Sequence, residues 1–512
     1  MIHRSDAQGF GANSTFDVIV VGSGIGGLVT ATQLAAKGAK VLVLEKYIIP
    51  GGSAGYFQRE EYRFDVGASM IFGFGQKGTT NLLTRALAAV GVSQETIPDP
   101  VQVHYHLPNG LDIRVHRDYQ RFLRHLITYF PHEKKGIKQF YNRCWGVFNC
   151  LNKIELLSLE EPSYLMRVFL RNPFACFGLL RNLPLNAGDV ARRYIKDPLL
   201  LKFIDMECYC WSAVPAQMTP MINAGMVFSD RHYGGVNYPK GGVGQIAQKL
   251  VKGLTEIGGQ IQYNAKVKQI ITDKGKAIGV ELANGKSYYA RRIVSNATRW
   301  DTFEKLLPQI ELPLNEKKWQ EAYEKSPSFL SMHLGVKAEV LPPETECHHI
   351  LLSEWDEMRV PEGTIFVSIP TLLDPSLAPN GYHIIHSFTP DLINNWSGLT
   401  DAEYQEKKEA AAWRILAKLE TLFPGLEAGL DYMEVGAPRS HRRFLGRVDG
   451  TYGPIPRKKL PGLLKMPFNR TVIPGLYCVG DTTFPGQGLN AVAFSGFACA
   501  HRIAADLQLK KV

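Results

Sequence analysis

The chain has 512 residues, 45% hydrophobic and 21% charged, a balance that allows two or three globular domains and excludes a disordered or fibrous protein. Its net charge of +10 comes without Lys/Arg blocks interleaved with aromatics, which argues against nucleic acid and leaves anionic lipid or plain solubility. The eight cysteines are scattered without a CxxC pair and read as reduced packing thiols; Cys347-His348-His349 has no second ligand cluster at recognisable spacing, reads as an ordinary polar strand end, and no metal is assigned.

Met1 to Phe16 is polar, with no apolar core, so neither a secretory signal nor a helical anchor is expected there. No later stretch reaches the length of a transmembrane helix, and a cytoplasmic protein is expected. Asp17-Val18-Ile19-Val20-Val21 is a β-branched run suited to a buried parallel strand. Gly22-Ser23-Gly24-Ile25-Gly26-Gly27 follows and opens a helix in which Gly27, Ala31, Leu34, Ala35 and Gly38 repeat at helical spacing. Gly22 permits the tight turn, Gly24 lets the backbone approach a pyrophosphate, and Gly27 lets helix and strand pack closely. The helix N-terminus adds unpaired N–H groups and partial positive charge for that anion. A second strand, Lys40 to Leu44, ends at Glu45, about twenty residues after the glycines, where a carboxylate accepts from ribose hydroxyls and disfavours a 2′-phosphate.

A second glycine loop, Pro50-Gly51-Gly52-Ser53-Ala54-Gly55, precedes Phe64-Asp65-Val66-Gly67-Ala68. The chain then leaves the βαβ rhythm for an aromatic-rich region of mixed helical patterns from about Gly75 to Gly234. Within it, Leu165, Met166, Val168, Phe169, Leu170, Phe174, Phe177, Leu179 and Leu180 lie among Arg167, Arg171 and Arg181. Apolar bulk flanked by arginines suits a helix lying in a membrane interface, and equally a buried domain helix with surface arginines. Asp205, Glu207 and His232 could relay protons but read as structural pairs or surface groups, so no catalytic side chain is assigned.

The chain returns at Tyr238-Pro239-Lys240-Gly241-Gly242, followed by a helix face of Ile246, Leu250, Leu254 and Ile257. Strands are expected from Ala265-Lys266-Val267 and from Ala277 to Leu282, with a tight hairpin at Asn284-Gly285. Ile293 to Ala297 leads into a second excursion, Arg299 to Leu464, with a helix from Asp401 to Leu422. Gly475 to Val479 is the returning strand, after which Asp481 can accept from a ribityl hydroxyl and Gly486 to Gly496 starts a small-residue helix. Two signatures hundreds of residues apart imply a chain that leaves a nucleotide domain and comes back to it, and FAD is the dinucleotide most often held that way. The expected division is a discontinuous FAD-binding domain of residues 1–75, 235–298 and 470–512, with residues 76–234 and 299–469 forming a substrate domain that touches a membrane near 163–181.

Over nearly its whole length the chain resembles the carotenoid isomerase branch of the phytoene desaturase-like flavoproteins. The resemblance is carried by Phe64 to Gly73, Phe130 to Lys134, Ser158 to Pro162, Asp230 to Gly235, Ser295 to Thr302, Val336 to Pro343 and Thr451 to Pro454. Phe484-Pro485-Gly486-Gln487-Gly488 stands where bacterial desaturases have a His-Pro-Gly-Gly-Gly type sequence, while Leu489-Asn490 departs from the plant pattern.

The resemblance implies an α/β fold: a Rossmann-like, discontinuous FAD-binding domain of the GR2/amine-oxidase kind with an inserted α+β substrate domain. Cofactor contacts are expected from Gly22, Gly24, Gly27, Glu45, Lys46, Gly52, Ser53 and Val267, and from Gly480, Asp481, Gly488 and Asn490. The implied activity is cis-to-trans isomerisation of poly-cis-lycopene by reduced FAD, with NADPH or NADH as reductant. The implied location is the cytoplasmic side of a plasma or thylakoid membrane, peripherally bound. A desaturase or retinol-saturase-like oxidoreductase, and a lipid carrier like the GDP-dissociation inhibitors, are the competing readings.

Overall fold

A computed structural model describes residues 16–67, 69–74, 81–154 and 156–509. The expectations for Met1 to Thr15, Ala68 and the Gly75 boundary fall outside the described residues. The chain begins with β1 (Phe16–Val21), α1 (Ile25–Ala35) and β2 (Val41–Leu44). After α2 (Leu82–Ala88) it leaves for the hairpin β3 (Val101–Leu107) and β4 (Leu111–His116), then for helices that include α3 (Pro162–Arg171), α4 (Pro173–Asn182), α5 (Pro198–Ser212) and α6 (Met221–Tyr233). It returns through α7 (Gly244–Glu256), β5 (Gln260–Gln262), β6 (Val267–Asp273), β7 (Lys276–Leu282) and β8 (Ser287–Ser295). It departs again for β9 (Ser328–Lys337), β10 (His348–Leu352), β11 (Thr364–Ser368), β12 (Tyr382–Asp391), α8 (Asp401–Leu419), β13 (Leu430–Gly436) and α9 (Pro438–Leu445). The last elements are β14 (Leu476–Cys478) and α10 (Leu489–Asp506).

Two sheets organise these elements. The first runs β6-β7-β8-β1-β2-β5, with β14 beside β8. Its centre is parallel: β1 pairs with β8 and β2, β2 with β5, and β8 with β14. Val18, Ile19 and Val20 are fully buried, which follows from helices on one face and the 265–282 segment on the other. Helix α1 is buried at every position except Gln33, because it lies between this sheet, α7 and α10.

The second sheet runs β13-β9-β12-β11-β10-β3-β4, and its one parallel contact joins β3 of the first excursion to β10 of the second. The two excursions therefore build one layer. The first-excursion helices pack on its β3–β4 end, while α8 covers the β9–β12 region.

Local differences from the sequence reading have identifiable causes. The apolar stretch from 163 to 181 is two helices rather than one, because Pro173 ends α3 at Asn172 and starts α4. The helix expected to reach Leu422 ends at Leu419, and Ile257 is the exposed C-cap of α7 rather than part of its apolar face. Packing also places α2 against α1, α7 and α10, and Phe303 and Leu307 against the first sheet. Residues just beyond the expected 75/76 and 298/299 boundaries thus share the nucleotide-side cores.

Candidate dinucleotide site

The register of the parallel strands aligns Val21 with Ser295 and Ser295 with Cys478, so β1, β8 and β14 end side by side. Ligand sites in open α/β sheets lie at such carboxyl ends. Gly24 N-caps α1 and Gly488 N-caps α10, and neither helix receives a side-chain cap. The two helices pack backbone to backbone: the Thr30 hydroxyl donates to the Gly496 carbonyl at 3.2 Å, and a Cβ at Gly496 would meet Gly26 O at 2.7 Å. The two glycine signatures of the sequence form one site.

Around it the expected residues divide into those that converge and those that do not. Gly22 adopts φ +94°, closed to most side chains, and a Cβ at Gly27 would stand 2.5 Å from Gly22 O. Glu45 is buried, and its Oε2 accepts from Ser23 N at 2.8 Å and Ser23 Oγ at 2.6 Å. Its Oε1 accepts from Tyr47 N at 2.9 Å. Gly52 sits against Gly24, where a Cβ would be 3.6 Å from Gly24 Cα, and Ser53 lies against Gly67. Val267 opens β6, two residues after Ala265, whose N–H donates to the Glu45 carbonyl at 2.8 Å.

At the other end, Gly480 faces the side chain of Asn296, Asp481 is ion-paired with Arg447, and Asn490 packs on Gly73. Gly488 has φ +103° and open space where a Cβ would be. Lys46 does not join the cradle: its ammonium donates to the Arg443 carbonyl in the last turn of α9 at 2.9 Å, and burial lowers its pKa.

Three further residues belong to the site. Asn296 projects into the cradle: Cβ atoms built at Gly24 and Gly26 would lie 2.6 Å and 3.2 Å from its amide. The available signal was its place immediately after β8, level with Gly22. Arg447 holds Asp481 and donates through Nε to Thr451 O, while Tyr452 lies beside Gly67, where a Cβ would be 3.9 Å from its ring, and hydrogen-bonds His441 at 2.9 Å. Those two contacts arise from the second excursion, which no local pattern links to β14.

Asp205, Glu207 and His232 have structural partners. Glu207 and Arg231 form a fully buried ion pair at 2.6 Å, with Tyr141 OH donating to the second carboxylate oxygen at 2.5 Å. Asp205 accepts from Ala216 N at 2.9 Å. Burial, then the neighbouring Arg231 charge, lowers His232 to about 3.

The residues fit a flavin dinucleotide. Two helix N-termini without side-chain caps point at a cradle of glycines, a carboxylate stands at the end of β2, and Asn490 Oδ1 is a buried acceptor with no partner among the described residues. The sequence profile described as "Flavin containing amine oxidoreductase" matches residues 25–504. This chain belongs to that family. Within the flavin-containing amine oxidoreductases it is similar to the chloroplastic prolycopene isomerase of Daucus carota, 58% identical over 100% of this chain and 83% of the relative. Similarity to a lycopene-forming phytoene desaturase of a Paracoccus species is 26% over 96% and 97% of the two chains. An oxidoreductase structure from Methanosarcina mazei shares the fold, with a TM-score of 0.62 at 19% identity, covering 94% and 99% of the two chains. Flavin binding and the amine-oxidoreductase fold follow from membership of this family, and the glycine cradle fits both.

Proposed function

We propose that this chain is a carotenoid cis–trans isomerase that uses reduced FAD to convert poly-cis-lycopene to all-trans-lycopene without net redox change. The observation that carries it is a complete dinucleotide cradle in a chain whose full-length similarity is far higher to a prolycopene isomerase than to a desaturase. Bound in reduced form, FAD supplies transient electron or proton donation that spreads along a polyene and lowers the bond order resisting rotation.

The chain's own residues bind and orient. The α1 N-terminus holds the pyrophosphate and Glu45 takes the ribose hydroxyls. Asp481 and Asn490, on the turn and first helical residues after β14, hold the ribityl and ring end. NADPH or NADH would be the source of the reducing equivalents. A carrier without cofactor has no use for this cradle, and a desaturase is separated by product mass: desaturation removes two hydrogens per new double bond, isomerisation none.

A lipid-soluble polyene calls for contact with a bilayer, and α3 with α4 offers the surface. Phe174 is 90% and Leu170 70% exposed, with Met166, Phe177 and Leu180 also outside and Arg167, Arg171 and Arg181 among them. Among the described residues no helix is long and apolar enough to cross a membrane. This face rests on the interface, with apolar side chains in the acyl boundary and guanidinium groups at phosphates. Flotation with vesicles containing anionic lipid tests it: the protein floats, and Leu170→Glu with Phe174→Glu abolishes flotation while flavin content is kept. Unchanged flotation of that variant contradicts the assignment. Anaerobic turnover of poly-cis-lycopene tests the chemistry.

A further inference from the structure

From Pro456 to Val472 the chain carries Arg457, Lys458, Lys459, Lys465 and Arg470 and no acidic residue. Leu460, Leu463 and Met466 are buried, while Leu464, Phe468 and Val472 stay 55%, 41% and 52% exposed. One short segment thus offers water both cations and large apolar side chains, a combination that suits a bilayer interface.

This segment is tied to both ends of the α3–α4 pair. Leu463 N donates to the Leu183 carbonyl, just after α4, at 3.4 Å, and Gly462 N donates to Asn186 Oδ1 at 3.0 Å. Arg470 N donates to Glu160 Oε1 at 3.3 Å, two residues before α3 begins. The exposed apolar tips therefore adjoin the helix pair that presents Leu170 and Phe174.

Phe468 and Val472 also line a cavity of about 780 Å³, a size within the range of small-molecule sites. Five cations and three carboxylates surround it, and two of those carboxylates are engaged. Glu316 accepts from Arg299 Nε at 2.8 Å, and Glu160 accepts from Arg470 N. Arg299 also donates through Nη1 to the Phe468 carbonyl at 3.2 Å, which anchors the segment to the cavity wall. Arg457, Lys459 and Arg470 have carboxylate partners in Glu324, Asp189 and Asp506. Lys318, Lys458 and Lys465 line the cavity with no carboxylate partner among the described residues, so three ammonium groups there lack a counter-charge.

We propose that this cavity binds the phosphate headgroup of an anionic phospholipid, with Lys318, Lys458 and Lys465 around the phosphate and Phe468 and Val472 beside the acyl chains. The inference rests on the bilayer contact proposed for this protein and names the lipid that strengthens it. Each lysine near an anionic surface raises partitioning about 5-fold.

Flotation of the full-length, FAD-containing protein on phosphatidylcholine vesicles with and without phosphatidylglycerol tests this. Partitioning is stronger with phosphatidylglycerol. Lys458→Gln with Lys465→Gln lowers it about 25-fold on those vesicles and leaves partitioning onto phosphatidylcholine alone unchanged. Lys407→Gln with Lys408→Gln, on α8, removes the same charge and changes neither. Flavin absorbance reports that each variant is folded. Equal losses from the two lysine pairs overturn the proposal, as does an unmodified protein without preference for phosphatidylglycerol. Leu170→Glu with Phe174→Glu separates the pocket from the α3–α4 face. Flotation lost in that variant but undiminished in the Lys458/Lys465 variant removes the pocket alone, whereas flotation kept there with a lysine-dependent lipid preference removes the face and keeps the pocket.

Discussion

Ser23 donates twice to one oxygen of Glu45, from its backbone N–H at 2.8 Å and from its hydroxyl at 2.6 Å. The residue inside the glycine turn thereby fixes the carboxylate at the end of the neighbouring strand, with a further donor from Tyr47 on the other oxygen. The acid is oriented before any ribose arrives, which lowers the ordering cost of binding.

Glu45→Gln replaces a charged acceptor with a neutral one that also presents a misplaced N–H to Ser23. Charge-assisted hydrogen bonds contribute about 1.5–3 kcal/mol, so FAD affinity falls about 10- to 150-fold, read by fluorescence quenching on titrating apoprotein. An unchanged affinity places the ribose elsewhere.

Glycines at different depths separate packing from helix propensity. In α10, a Cβ at Gly496 would meet Gly26 O at 2.7 Å and Val29 Cβ at 2.8 Å, whereas one at Gly146, in the 134–153 helix, meets nothing within 4 Å. Gly496→Ala costs about 1–3 kcal/mol and lowers flavin retention, because it pushes α10 from α1. Gly146→Ala is neutral or stabilises by up to about 1 kcal/mol. Chemical denaturation of both variants checks the contrast, and equal effects contradict the close packing of the two helices.

The front half of the cradle was legible because its chemistry is local. Strand, glycine turn, helix and acid follow one another in order, and β1 and β2 fall within a residue of their expected places, while α1 ends at Ala35, three residues short of Gly38, which turns the chain at φ +84°. The C-terminal half was legible for the same reason. What lay hidden is whatever depends on distant pairing: Asn296 reaches the glycines only because β8 inserts between β1 and β14, and Arg447 reaches Asp481 only because the second excursion folds back. Lys46 shows the converse, since the family resemblance implied a cofactor contact there while its long side chain reaches the end of α9.

The buried pair Glu207–Arg231 behaves as structure rather than as catalyst. Removing one partner leaves an uncompensated buried charge, so Glu207→Gln or Arg231→Met destabilises by about 3–5 kcal/mol, while Glu207→Leu with Arg231→Met together costs far less. Thermal unfolding of the three variants reads this. A folded Glu207→Gln protein of unchanged stability but lost turnover assigns Glu207 to the reaction instead.

Burial pushes the Asp230 carboxyl up to about 7. The folded chain then holds this proton after the unfolded chain has released it, so between about pH 4 and 7 the native state binds more protons and this group's contribution to stability falls as pH rises, by up to about 1.4 kcal/mol per pH unit. Asp230→Asn, which stays neutral, is more stable than the unmodified protein at pH 8, and the difference shrinks at pH 5. Denaturant midpoints at the two pH values test the sign, and a larger gain at pH 5 than at pH 8 contradicts it.

The central claim is that this chain uses a reduced flavin without consuming it. Purified protein with FAD, NADPH or NADH and poly-cis-lycopene in vesicles, without oxygen, is followed by absorption and mass spectrometry. The product has the all-trans spectrum and unchanged mass, and none forms when reductant is left out. A product lighter by two hydrogens per new double bond, or equal conversion without reductant, contradicts the account.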